Sequence, residues 1–346
     1  MTPHSEDRVP NIFHHAVRSA GAITIFIALV IMVASAIDKG PYIVVNTIVT
    51  GGMWALMAMG LALVFGVMNV PSFAHGEFFM IGSLVSFYVV TTLNEYLLRT
   101  SVPLLPVIIP LMGMFAACVA GCIAGALCEI MVFRPLRRRS QEQWVMNTFL
   151  LTLGLSIIMI NGHQLVFGTE FKGIVSYWDF PSVEILGTYI SFDRLFVFVL
   201  SVIAMICFWS FMKFSRSGQA IRAVSQDEAG ALMVGINLDS IQMLTLCVSC
   251  GLAALAGASL LFMYPSYPSV GLGPLYNSWF IVILAGLGNV AGAAVGAFIV
   301  ALFQILTTVY IGEGWGFVIP SALIILVLTF KPSGIFGSVV RGIHDK

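Results

Sequence analysis

Runs of about twenty apolar residues recur along this chain from Ala20 to Lys331, and a helix of that length crosses the hydrocarbon of a bilayer. The runs predict spans near 20–37, 43–70, 77–98, 104–133, 145–167, 194–213, 241–264, 277–288, 290–311 and 316–331. One soluble core does not bury apolar surface spread so evenly. Hydrophobic residues make up 59% of the chain and charged residues 9%, where soluble domains carry about a quarter charged. The fold class read here is an all-α integral membrane protein of about ten transmembrane helices (eight to ten), some broken or re-entrant. The eighth run is too short for a regular crossing, and Gly286, Gly288 and Asn289 break it from the ninth. The first run follows Arg8 and Arg18 without a clear small-residue cleavage site, so it reads as a retained span rather than a leader.

Cationic residues collect on the cytoplasmic side of membrane proteins. With a cytoplasmic N-terminus and ten crossings, twelve of the sixteen lysines and arginines fall inside. They are Arg8, Arg18, Arg134, Arg137, Arg138, Arg139, Lys213, Arg216, Arg222, Lys331, Arg341 and Lys346. Lys39, Arg99, Lys172 and Arg194 fall outside. An odd count of crossings would put the C-terminal charges on the wrong side, so both termini read as cytoplasmic. The organisation is then a cytoplasmic segment 1–19, a transmembrane domain 20–336 with a cytoplasmic loop at about 214–240, and a cytoplasmic tail 337–346. Residues 168–193 form an acidic outer loop. Zero net charge points to no nucleic-acid partner.

The loop 214–240 carries Ser225-Gln226-Asp227-Glu228, the pattern of a capping box in which serine and glutamate each satisfy an amide of a new helix. Asp227 and Glu228 suit the positive end of that helix. Ala229 to Met233 follow, and Gly235 is placed as a C-cap. A short helix of about two turns, at 226–234, reads either as an ordinary connector or as a docking helix for a cytoplasmic partner. On the second reading Arg216 and Arg222 clamp acidic groups of the partner and Ala231 allows a close fit.

Between the second and third runs lies Asn69-Val-Pro71-Ser72-Phe73-Ala74-His75-Gly76-Glu77. Pro71 interrupts a glycine-rich helix, and broken helices line solute paths in transporters. His75 and Glu77 are ionisable at a depth where charge is costly unless wet or paired. They either belong to such a path or anchor a turn among the headgroups. Gly288, Gly292 and Gly296 are spaced by four, which suits close helix packing; Asn289 could alternatively end a half-helix at a cavity. Asn46, Asn147, Asn161, His163, Gln164, Gln242, Asn277 and Gln304 read as interhelical hydrogen-bonding groups. Glu129 is placed to pair with an arginine of 134–139. Ser140-Gln141-Glu142-Gln143 reads as a second capping box. Six cysteines lie in apolar stretches. Cys247 and Cys250 have the spacing of a redox or metal pair but lack a flanking His or second pair, so they read as small apolar filler. No phosphate-loop lysine motif, zinc-protease motif or esterase elbow occurs, so the chain reads as a non-enzyme without metal or cofactor of its own.

The stretch Gly60-Leu-Ala-Leu-Val-Phe-Gly-Val-Met-Asn-Val-Pro-Ser-Phe-Ala-His-Gly-Glu77 resembles the hallmark of LivH-type branched-chain amino acid permeases. Phe73, Ala74, His75, Gly76 and Glu77 match it, while Ser72 stands where that family usually has asparagine. Ser217-Gly218 through Arg222-Ala223, Ala231 and Gly235-Ile236 is similar to the family's ATPase-contacting loop. Leu284 to Gly296 and Arg134-Pro-Leu-Arg137 resemble further family segments, and the resemblance runs from about 43 to 336. It implies the permease subunit of an ATP-binding-cassette importer in the bacterial inner membrane. The partners implied are two cytoplasmic ATPases that use the ATP, a second related permease and a periplasmic solute-binding protein. The solute implied is a branched-chain amino acid or another small polar molecule such as urea, an amide or an organic acid. Asn69, Phe73, His75, Gly76, Glu77, Gly286, Gly288 and Asn289 are then the candidate solute path. Arg216, Gly218, Arg222, Ser225, Asp227, Glu228, Ala231 and Gly235 are the candidate ATPase-coupling residues. The rival readings are a standalone secondary transporter or channel, and a membrane enzyme using His75 and Glu77 as acid and base.

Overall fold

A computed structural model describes residues 12–97, 105–139, 144–174, 177–178, 182–185 and 187–337. The predicted capping box at 140–143 lies outside the described residues. Helices α1 (Ile12–Lys39), α2 (Tyr42–Met68), α3 (His75–Leu97) and α4 (Leu105–Cys128) come first. A π-helical turn, Glu129–Phe133, carries α4 into α5 (Arg134–Arg139), and α6 (Trp144–Phe167) follows. Next come the strands β1 (Val183–Ile185) and β2 (Thr188–Ile190), then α7 (Phe192–Phe214), α8 (Arg216–Gln226) and α9 (Glu228–Met233). The chain continues through α10 (Leu238–Leu260), α11 (Leu272–Ala285), α12 (Val290–Tyr310) and α13 (Val318–Phe330).

Among the described residues, nine helical segments are long and apolar enough to cross a membrane. The short run after α10 becomes the 14-residue α11. It is about 21 Å long at 1.5 Å per residue, short of a hydrocarbon core of about 30 Å. Helix α1 begins eight residues ahead of the run expected at Ala20. The segment expected to be an irregular acidic loop contains a small antiparallel hairpin, Val183 opposite Ile190, and Lys172 pairs its backbone with Ser266.

Burial sorts the spans. Within the apolar windows 78% of α2 and 72% of α10 is buried, against 17% of α6 and 11% of α1. Helix α2 packs on α12, α10, α11 and α7, and α10 packs on α4, α3 and α2. Small residues make this possible: Ala253, Ala254, Ala256, Gly257 and Ala258 of α10 are buried, so neighbouring backbones approach closely. Cys250 is buried in that seam and its thiol is free. The apolar outer faces of α1, α6 and α13 are exposed, as lipid-facing helices require.

Candidate functional site

Two interruptions and one loop organise the polar side chains. Helix α2 stops at Met68, and Asn69 adopts the left-handed conformation (φ 52°) with its amide on the Phe65 carbonyl. Pro71 explains why the helix does not resume at once: it has no N–H and holds Val70 extended. Helix α6 supports the open segment. The Trp144 indole donates to the Met68 carbonyl at 3.4 Å, and the Phe73 amide donates to Thr152 at 3.3 Å. The Phe73 ring sits edge-on to Phe149 and stacks on Trp279 of α11.

The first turn of α3 is fully enclosed. His75 is 1% exposed and Glu77 0%, so neither lies at a wetted surface. His75 hydrogen-bonds the Met57 backbone, and its Nε2 has no partner among the described residues. Glu77 accepts from the Ser156 hydroxyl at 2.8 Å, while its second oxygen has no partner among the described residues. A buried polar atom left so is costly. Gly76 meets the backbone before α11: a Cβ at Gly76 would lie 2.7 Å from the Gly271 carbonyl oxygen. The starts of α3 and α11 therefore touch backbone to backbone.

The second interruption is closed on itself. Gly286 (φ 102°) and Gly288 (φ 81°) turn the chain. Asn289 caps α12 by accepting from the Gly292 amide at 2.8 Å and donates to the Phe336 carbonyl at 2.9 Å. Residues 335 and 336 donate their amides to Leu284 and Ala285. Gly288 packs on Gly66 of α2, where a Cβ would come within 2.9 Å of the Gly66 Cα. An open cavity of about 1380 Å³ lies beside this joint, lined by Asn69, Gly288, Asn289, Trp209, Lys213, Arg222 and Ser225 among others. Among the described residues its lining holds two cationic residues and no carboxylate.

The predicted path residues thus divide. Asn69, Gly288 and Asn289 border the cavity, and Gly286 packs on Ser333 and Gly337. His75, Gly76 and Glu77 form a separate enclosed group with the half-buried Phe73 at its edge. Asn161 is exposed and bonds within its own helix, whereas Asn46 does bond across helices, to Arg194 at 2.7 Å.

The loop between α7 and α10 differs from the expectation in three ways. It holds two helices rather than one, because Ser215 caps α8 by accepting from the Gly218 amide at 2.8 Å and α8 buries Ile221 and Val224 on the bundle. Ser225 consequently belongs to the last turn of α8, donating to the Arg222 carbonyl. The capping box does not form, and Asp227 occupies the N-cap position of α9 without a side-chain cap bond. Lastly, Ala231 faces the bundle at 4% exposure, while Leu232, Met233 and Val234 stand out at 54, 89 and 76%. Gly235 does end the helix as expected. At φ 84° it lets its own amide and that of Ile236 reach the Leu232 and Ala231 carbonyls, a Schellman closure. Asp227, Glu228, Arg216 and Arg222 are exposed, and Gly218 is buried.

Just beyond, Asp239 gathers three arginines: Arg134 at 2.8 Å, Arg138 at 3.2 Å and Arg137 at 3.6 Å. Arg137 also pairs with the buried Glu129 of the π turn, as the spacing of Glu129 before the cluster suggested. Sequence reading passed over Asp239, Leu232 to Val234, Thr152 and Ser156. Of these, Thr152 and Ser156 left a legible trace, forming with Thr148 a hydroxyl at every fourth position of an apolar helix.

Residues 43–328 match the family described as branched-chain amino acid transport system / permease component. The high-affinity branched-chain amino acid transport system permease protein LivH of Salmonella typhimurium is 29% identical over 297 residues, covering 84% of this chain and 94% of that protein. BraD of Pseudomonas aeruginosa, described in the same terms, is 30% identical over 299 residues, covering 85% and 94%. A probable LivM permease of Methanocaldococcus jannaschii is 19% identical over 331 residues, covering 82% and 90%. No solved structure matches.

Proposed function

The chain belongs to the family of permease components of branched-chain amino acid transport systems, and from that premise we propose that it imports such amino acids, or a related small polar solute, as the membrane subunit of an ATP-driven complex. The complex sits in the bacterial inner membrane. Its other members are cytoplasmic ATP-binding-cassette ATPases, a second related permease and a periplasmic binding protein. ATP is bound by the ATPases and not by this chain, which carries no phosphate-loop lysine motif. With both termini cytoplasmic, α8 and α9 face the ATPases.

The observation that carries this reading is the tip of α9. Three successive apolar side chains, Leu232, Met233 and Val234, project from a short helix ended by Gly235. Burying each is worth about 1.5–3 kcal/mol, and an apolar helix tip fits a groove on a partner. Asp227 and Glu228 at one end of α9, and Arg222 and Arg216 on α8, orient the contact electrostatically. Solute passes by way of the enclosed turn at Phe73–Glu77 and leaves through the cavity beside Asn69, Gly288 and Asn289.

The test is reconstitution of the whole complex with Met233→Asp. ATPase binding to the permease, read by co-purification, falls by about tenfold or more, and solute uptake falls with it. Undiminished binding and uptake would overturn the reading. Solute flux from this chain alone in liposomes would favour the standalone transporter instead.

A further inference from the structure

Helix α6 is the least tied of the spans that touch the enclosed turn, yet among the described residues its side-chain hydrogen bonds to other helices and their connections all go to one place. Trp144, Thr148, Thr152 and Ser156 follow one another at intervals of four, which aligns them along one side of the helix. Three of them hold the α2–α3 interruption from end to end. Trp144 reaches Met68, the last residue of α2; Thr152 holds the amide of Phe73 in the open segment; and Ser156 holds Glu77 in the first turn of α3. The stripe is about 18 Å long at 1.5 Å per residue. Two of the three bonds are long, at 3.4 and 3.3 Å, beyond the usual range for N–H donors. They guide the segment without locking it. The opposite face of α6, with Met146, Leu150, Ile157 and Ile158, is exposed, so the helix can shift without repacking the core.

The foot of α6 is joined through arginines to the first turn of α10, where the loop that carries α9 ends. Asp239 lies six residues past Met233, beyond the Gly235 closure. It is bonded to Arg134 and Arg138 and lies near Arg137, whose guanidinium sits 5.6 Å over the Trp144 ring. Arg137 also holds Glu129 in the π turn between α4 and α5, and such wide turns recur where helices adjust. A set of contacts therefore runs from Asp239, which residues 234–238 join along the chain to α9, through Arg137 and Trp144 to the end of α2.

We propose that α6 is the element that transmits movement of the α8–α9 loop to the broken span, with Arg137, Trp144, Thr152 and Ser156 as positioning residues for the Phe73–Glu77 turn. The proposal rests on the permease reading above. Contiguity alone does not establish coupling; a two-position α6 does.

The experiment uses the complete complex in liposomes, with ATP hydrolysis and solute uptake measured on the same preparation. Thr152→Val and Ser156→Ala each lower uptake per ATP by about fivefold, the factor for one ordinary hydrogen bond. Thr152→Ser and Ser156→Thr restore it. A purely structural role would lower complex yield, hydrolysis and uptake together and leave their ratio unchanged; that result overturns the inference. Independently, spin labels at Met146 on α6 and Ile311 beyond α12 report a distance that changes when nucleotide is trapped with vanadate, and an unchanged distance overturns it too. Absence of uptake by the unsubstituted complex would overturn the permease reading itself. Normal uptake with an unaltered ratio in the variants would overturn only the role of α6.

Discussion

The two interruptions of the bundle look alike in the chain and differ in what they leave unsatisfied. Residues 286–289 place glycines at positive φ and tie the joint to the C-terminal segment: Asn289 uses both ends of its amide, and residues 335–336 take up the carbonyls of Leu284 and Ala285. Residues 69–77 enclose a histidine and a glutamate and leave one polar atom of each without a partner among the described residues. One break turns the polar ends of its side chain onto the fold itself, while the other encloses two ionisable side chains.

Three substitutions test that contrast, in descending order of expected effect. Glu77→Gln keeps the shape and the Ser156 contact but removes the carboxylate. Uptake falls by about tenfold or more, as for a hydrogen bond to a charged group, while thermal stability of the purified protein holds or rises. Uptake within twofold of the parent would erase the distinction between the breaks. Asn289→Ala gives the opposite pattern. The lost cap costs about 1 kcal/mol, and the Phe336 carbonyl loses its donor, so the thermal midpoint falls while uptake per folded molecule is kept. A selective loss of uptake there would show that Asn289 serves the solute at the cavity wall and not only the joint. Pro71→Ala is the mildest. The segment keeps its supports on Trp144 and Thr152, and the change costs about 0.4–1 kcal/mol through added freedom of the unfolded chain, visible in denaturant unfolding and scarcely in uptake. A large loss of uptake would mean that the proline itself, and not α6, keeps the segment open.

The same distinction governs what could be read before the fold was in hand. Long apolar runs specify spans on their own, because bilayer thickness sets their length; the short α11 and the glycine breaks around it were legible for that reason. Caps were less so. Ser225-x-x-Glu228 and Ser215-x-x-Gly218 compete for one stretch of chain, and burial of Ile221 and Val224 decides in favour of α8 starting at Arg216. Helical facing also escaped local reading: six residues of α9 are too few to show a periodicity, so nothing in the sequence told that Ala231 turns inward and Leu232 to Val234 outward. Asp239 and its arginines stand about a hundred residues apart in the chain, and no spacing rule links such positions. The partners of Glu77 and Phe73 on α6 lie 79 positions away and were equally out of reach.

The meeting of Gly76 and Gly271 has a mechanical corollary. The two backbones meet there with no side chain between them. Any added methyl at either glycine would act as a burr that pries α3 from α11 and disturbs the Leu275 side chain beside the contact.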